Sequence, residues 1–113
     1  MEINEIVLKA IDERKGFDIR NYDTRSLTPF MDHMIIASTN NIRQNNAIAQ
    51  NIKDRLRENG FKGSIRQEGT PESRWLLLDL QETVVQLFVN DERQVYQLDR
   101  LYADVPVEIY DLR

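Results

Sequence analysis

Glu68–Tyr102 reads EGTPESRWLLLDLQETVVQLFVNDERQVYQLDRLY, and the hairpin at its centre is apolar on both faces. A two-residue turn at Gln81 and Glu82 sets Leu80 opposite Thr83, Asp79 opposite Val84, Leu77 opposite Gln86 and Trp75 opposite Phe88. Strand side chains alternate, so Leu76, Leu78, Leu80, Val85, Leu87 and Val89 form one wall, sufficient for a core. The other wall carries Trp75, Leu77, Val84 and Phe88 beside Asp79 and Gln86. A second apolar wall needs a cover, either another layer of the same chain or a partner.

Working outward, a chain of 113 residues is long enough for one core and too short for two, which predicts a single domain over residues 1–113. Its 41% apolar and 30% charged residues are those of an ordinary globular protein. No apolar run approaches the roughly 18 residues that span a bilayer, and the acidic start MEINE is unlike a signal peptide. A cytosolic protein without membrane contact is therefore expected. Zero cysteines exclude disulfides, thiolate metal sites and cysteine nucleophiles together. The net charge of -4 offers no general attraction to phosphate backbones. Lys53, Arg55 and Arg57 alternate with Asp54 and Glu58, the pattern of a solvated helix face rather than a sequence-specific nucleic-acid reader.

Upstream of the hairpin, Ile3, Ile6, Val7, Ala10 and Ile11 recur as one helical face in a helix predicted over 3–15, with Gly16 at the stop position. The segment 17–23 predicts an exposed strand and is followed by a loop containing Pro29. The apolar run at 33–37 suits a strand buried on both faces. Asn40 or Asn41 caps a second helix along Ile48, Ile52 and Leu56, which Asn59-Gly60 ends. A third strand is expected over 61–68. Downstream, Asp91 is expected to cap a third helix with Val95, Leu98, Leu101 and Tyr102 on one face, and Tyr96 and Asp99 off it. Pro106 closes that helix, and the tail VEIYDLR reads as an edge strand or an ordered arm. The sum is an α+β domain of order αββαβββα, with three helices and a mixed five-stranded sheet. Three helices are too few to cover two sheet faces, so one face is expected to be wholly or partly open.

Catalytic constellations are scarce. His33 is the only histidine, and no serine or carboxylate pair stands by it as a triad would require. The carboxylates are scattered, with Asp18 and Asp23, or Asp79 and Glu82, forming no metal loop. The four glycines never make a phosphate-cradling loop. Catalytic residues, metal and cofactor are all read as none. Asp32, after Pro29, either ties down a loop backbone or faces a ligand. Trp75 and Tyr96 combine a large apolar surface with a polar group, a pairing enriched at interface hot spots, and are read as binding residues.

The same residues carry a resemblance that spans nearly the whole chain. It begins with Lys15-Gly16-x-Asp18-Ile19 and Asp23, continues through Asp32 and its apolar strand, Arg43-Gln44, and Glu68-Gly69. Its most specific part is Trp75-Leu76-Leu77-Leu78-Asp79, then Val84-Val85, then Arg93-x-x-Tyr96-x-Leu98-Asp99-x-Leu101. In this order and spacing the chain resembles the ribosomal silencing factors, the RsfS or Iojap family. It departs at Gln81, where the family usually has Gly, and at Gln86, where histidine is common. Thr39 and Asn41 stand for Gly and Ser, Asp99 for Glu and Tyr102 for Trp. The resemblance implies a nucleotidyltransferase-like fold without the catalytic carboxylates, and no enzyme activity. It also implies binding to ribosomal protein L-fourteen on the large subunit, blocking association of the two subunits and repressing translation. On this reading Trp75, Leu77, Val84 and Phe88 supply the apolar centre, with Tyr96 beside them and Asp79, Gln86 and Arg93 as a polar rim. Alternatives are a degenerate nucleotidyltransferase-like enzyme and a large-subunit assembly factor. A homodimer that hides the open face is compatible with the leading reading.

Overall fold

The computed structural model describes residues 2–110. Its elements are α1 (Ile3–Glu13), β1 (Phe17–Asp23), β2 (His33–Thr39), α2 (Ile42–Glu58), β3 (Arg66–Glu68), β4 (Trp75–Asp79), β5 (Thr83–Val89), α3 (Asn90–Tyr96), a 3-10 turn (Leu98–Tyr102) and β6 (Val107–Tyr110). The sheet has six strands in the order β3-β4-β5-β2-β1-β6, which corrects the expected five. The pair β2-β5 is parallel and the remaining pairs are antiparallel, so the sheet is mixed as expected. The added strand is β6, which lies on β1 with Val107 opposite Tyr22 and Ile109 opposite Arg20. The rest of the tail read as strand or arm, 111–113, lies outside the described residues.

Each helix is stopped by its own backbone. At the end of α1, Lys15 N–H donates to Asp12 O at 2.9 Å and Gly16 N–H to Ile11 O at 3.0 Å, a Schellman motif. The left-handed residue in it is Lys15, at φ 67°, and not Gly16. Gly16 is required for a different reason: a Cβ there would stand 2.4 Å from Ile11 Cγ2. The same motif ends α2, with Gly60 at φ 84° in the left-handed position and Phe61 N–H returning to Leu56 O at 2.9 Å. At the start of α2, the Asn41 side chain accepts from Gln44 N–H at 2.9 Å. Gln44 then donates from Nε2 to the carbonyls of Arg14 and Lys15, at 3.0 Å each, and so ties the start of α2 to the end of α1.

The helices α1 and α2 cover one face of the sheet. Val7, Ile11, Ile48, Ile52 and Leu56 meet Ile35, Leu76, Leu78, Val85 and Leu87, all fully buried. Each such side chain contributes roughly 1.5–3 kcal/mol by leaving water. Strand β2 runs through the centre and is buried on both faces, as its apolar run predicts. The third strand is shorter than expected, only Arg66–Glu68. The third helix departs most. It ends at Tyr96, because Gln97 is left-handed at φ 49°, and the chain continues as the 3-10 turn. Its first residue is Asn90 rather than one after Asp91, and Val89 occupies the capping position with no side-chain bond. The break scatters the expected apolar face: Leu98 and Tyr102 pack inward, while Val95 and Leu101 are exposed.

Candidate partner-binding face

The hairpin of β4 and β5 has the register read from the sequence, with Trp75 opposite Phe88, Leu77 opposite Gln86 and Asp79 opposite Val84. Its turn is made with Gln81 at φ 80°, a positive φ at the first central position, where glycine is favoured. Asp79 Oδ1 supports that backbone by accepting from Gln81 N–H at 2.8 Å. Gln81 thus adopts in this chain the conformation for which a glycine is usually used.

The second face of the hairpin is covered in part by the C-terminal segment. Tyr22, Met34, Ile36, Phe88 and Val105 form a second buried cluster, with Met31, Trp75, Val84, Leu98 and Tyr102 half-buried against it. Trp75 stacks on Phe88 with ring centroids 4.7 Å apart, and Tyr96 of α3 lies 4.8 Å from Trp75 at a 47° tilt. Leu77 and Val84 follow along the same face, half-buried. Asp79 sits towards the turn and is paired with Arg66 at 3.0 Å. Tyr96 remains 55% exposed.

Three of the residues expected to touch a partner are withdrawn from its reach. Phe88 is fully buried, because the C-terminal segment and Trp75 close over it. Gln86 is buried, and its Oε1 accepts the Trp75 indole N–H at 2.6 Å. Arg93 is only 4% exposed. It donates to both carboxylate oxygens of Asp99, at 3.0 and 2.9 Å, to Asp18 O at 2.6 Å and to Ser38 Oγ at 2.8 Å. These are supports of the face rather than a rim, and the reading of them as direct contacts is corrected. Trp75, Leu77, Asp79, Val84 and Tyr96 keep surface on the open part of the face. Met31 also packs partly buried against the second cluster, a position that one methionine in a loop does not signal in the sequence.

Arg93 and Asp99 latch the C-terminal segment across the sheet. Burial alone pushes the Asp99 carboxyl up, yet the hydrogen bonds from Arg93 and from Tyr22 Oη, the latter at 2.7 Å, outweigh it and hold the pKa below the usual carboxylate value. The Tyr22 phenol is pushed up to about 12, first by burial and then by the Asp99 carboxylate. Arg74 adds an exposed tie, with Nε 3.5 Å from Glu92 at the start of α3.

The residues weighed for chemistry lie elsewhere. His33 lines a surface cleft of about 450 Å³ with Glu2, Glu5, Glu108 and Tyr110, and its Nδ1 is 3.2 Å from Asn21 Oδ1. Asp32 ties its loop through the backbone: its N–H and that of His33 both donate to Glu82 O, at 2.7 and 3.1 Å. Among the described residues no group of three histidine, aspartate or glutamate side chains is placed to hold a metal ion. No described helix is long and apolar enough to cross a membrane.

Known proteins resemble this chain in sequence and in fold. The sequence model described as "Ribosomal silencing factor during starvation" matches residues 1–113. The ribosomal silencing factor RsfS of Bacillus subtilis is 37% identical over 109 residues, covering 96% of this chain and 92% of that protein. RsfS of Haemophilus influenzae is 32% identical, covering 91% of this chain and 100% of its own length. A solved structure of a Chromobacterium violaceum protein superposes with a TM-score of 0.81 at 32% identity, covering 98% of this chain and 94% of that one. With its whole length matched in sequence and nearly all of it in fold, the chain belongs to the ribosomal silencing factor family.

Proposed function

We propose that this chain acts in the cytoplasm as a non-enzymatic ribosomal silencing factor. It binds ribosomal protein L-fourteen on the large subunit and blocks joining of the small subunit by occupying the surface. Trp75, Leu77, Val84 and Tyr96 form the apolar centre of contact, with Asp79 at its edge. The observation that carries this reading is the aromatic face itself, left part-open in a chain whose whole length matches the family. A standard interface buries about 800 Å² on each side around a small aromatic centre, and the hot-spot residues are those in its middle. No bond is made or broken in this mechanism.

Co-sedimentation with purified large subunits tests the reading. Trp75→Ala and Tyr96→Ala are each expected to weaken binding by about 1–2 kcal/mol or more, roughly tenfold, with the circular dichroism spectrum unchanged. Undiminished binding by both variants removes this face from the mechanism. Light scattering of mixed subunits then tests silencing, since saturating amounts of the chain should lower the yield of joined ribosomes. Normal joining with the chain bound would favour the assembly-factor reading. A metal-dependent product from nucleoside triphosphates would favour the enzymatic one.

A further inference from the structure

We propose that Gln86 is a positioning residue: it fixes the indole of Trp75 so that a partner meets Trp75 through its ring carbons and not through its N–H. This rests on the reading of the Trp75 face as the docking surface and adds how that surface is recognised.

An indole has one polar atom, a donor, and no acceptor. In this chain that donor is turned inward, to Gln86 Oε1 at 2.6 Å. Gln86 is 5% exposed and comes from β5, directly opposite Leu77 and two residues before Phe88, on which the indole stacks. Its other amide atom is also occupied, with Nε2 3.5 Å from Met34 Sδ. The orientation of the amide follows from its neighbours: only the oxygen can face the donor-only indole, and the nitrogen then faces the weak acceptor sulfur. Three restraints therefore act on one side chain: a ring below at Phe88, a second ring at Tyr96 and a hydrogen bond at the indole nitrogen.

Two consequences follow for recognition. The ordering of a large rotatable side chain, a cost of association, is already met in the free protein. The surface offered at Trp75 is also purely carbon and π-electron density, which suits apolar or cationic groups on a partner and gives a carbonyl or carboxylate nothing to accept from. The nearby Tyr96, more than half exposed, is the aromatic residue beside it with a free-standing polar end.

Trp75 is the only tryptophan, so the indole N–H gives a single resonance and reports on this bond alone. Its exchange with solvent is expected to be at least tenfold slower than that of free tryptophan. Gln86→Met keeps the length of the side chain, puts a methyl group in place of the amide oxygen and leaves only a weakly accepting sulfur one atom back. It should restore fast exchange and weaken binding to large subunits about three- to tenfold. Gln86→His, measured at pH 8 where a neutral imidazole nitrogen accepts, should return both values to within about twofold of the native chain. A purely volumetric role for Gln86 would be satisfied by methionine and not rescued by histidine. Native exchange as fast as free tryptophan overturns the proposal without any variant. So does a folded Gln86→Met chain with unchanged exchange and affinity, or a Gln86→His chain that behaves like Gln86→Met. If the native chain fails to bind large subunits while its indole N–H is protected and Gln86→Met releases it, the docking reading fails and the positioning of Trp75 by Gln86 stands.

Discussion

The two faces of the sheet are covered in different ways. On one, α1 and α2, of 11 and 17 residues, press fully buried aliphatic side chains onto β2, β4 and β5. On the other, a seven-residue helix and a five-residue 3-10 turn lie over Phe88 and Ile36. Isolated helices shorter than about 12–15 residues are marginal, so neither the 11-residue α1 nor this second cover holds by its own helicity. The second cover is held by the packing of Leu98, Tyr102 and Val105 and by polar ties, Arg93 to Asp99, Asp18 and Ser38, and Tyr22 to Asp99. The covers also differ in extent, since the second leaves Trp75, Leu77 and Val84 partly exposed. A face closed by apolar packing serves as the core of the fold, and a face closed by a short latched segment leaves aromatic and aliphatic surface partly exposed.

The largest effect is expected where the covering is apolar. Leu78→Ala opens a cavity under the helices and should cost about 2–5 kcal/mol of global stability by denaturant unfolding. A cost below 1 kcal/mol would mean that the helical face is not the core.

A smaller effect is expected at the latch. Arg93→Met should cost about 2 kcal/mol, less than at a fully buried pair because the Asp99 side chain is a quarter exposed and can recover water. It should first free residues 97–106 to proteolysis, with the helical face still protected in hydrogen exchange. Acid acts on the same latch. Asp99 is held below the ordinary aspartate value of 3.8, so its contribution is complete above that pH and is lost as the pH falls through the lowered value. Tyr22 is raised from 10.0 to about 12, so its contribution is complete below pH 10 and is lost as the pH rises towards 12. Proteolysis of 97–106 should therefore be slowest between about pH 4 and 10, and Arg93→Met should weaken the acid limb of this profile, which Asp99 sets. An unaltered profile would break the distinction between the two covers.

The smallest effect is at the turn that joins β4 to β5. Gln81→Gly removes a side chain from a left-handed residue and should raise stability by about 0.5–1 kcal/mol, read as a shift of the denaturant midpoint. Destabilisation would mean that the Asp79 bond to this backbone outweighs the strain.

This comparison also separates what the sequence makes legible from what it hides. The register of β4 with β5 follows from alternation and a two-residue turn, both local, and so do the caps of α2. The helical core follows from spacing alone. The second face depends on contacts between residues far apart in the chain. Arginine is ordinarily a surface residue, and nothing near Arg93 signals that Asp18 and Ser38 wait for it 75 and 55 positions away. The break at Gln97 has no glycine to mark it, and it turned an apparent apolar stripe into the exposed Val95 and Leu101. Strand β6 is four residues long, follows a proline and is stabilised by pairing with β1, so its pattern alone left strand and arm undivided. At the candidate site, Trp75 and Tyr96 were found by chemistry and position. The inward roles of Gln86 and Phe88 required the cover to be seen.

The absence of cysteine allows the central claim, that the part-open face and not the helical one meets the large subunit, to be tested by single labelling sites. Leu77→Cys places a thiol on the aromatic face, and Gln50→Cys places one on the exposed side of α2. Alkylation of each is measured by mass spectrometry of the chain with and without saturating large subunits. The account predicts at least tenfold slowing at position 77 and less than twofold at position 50. Equal rates at position 77 with and without subunits, or protection at position 50 alone, would contradict it.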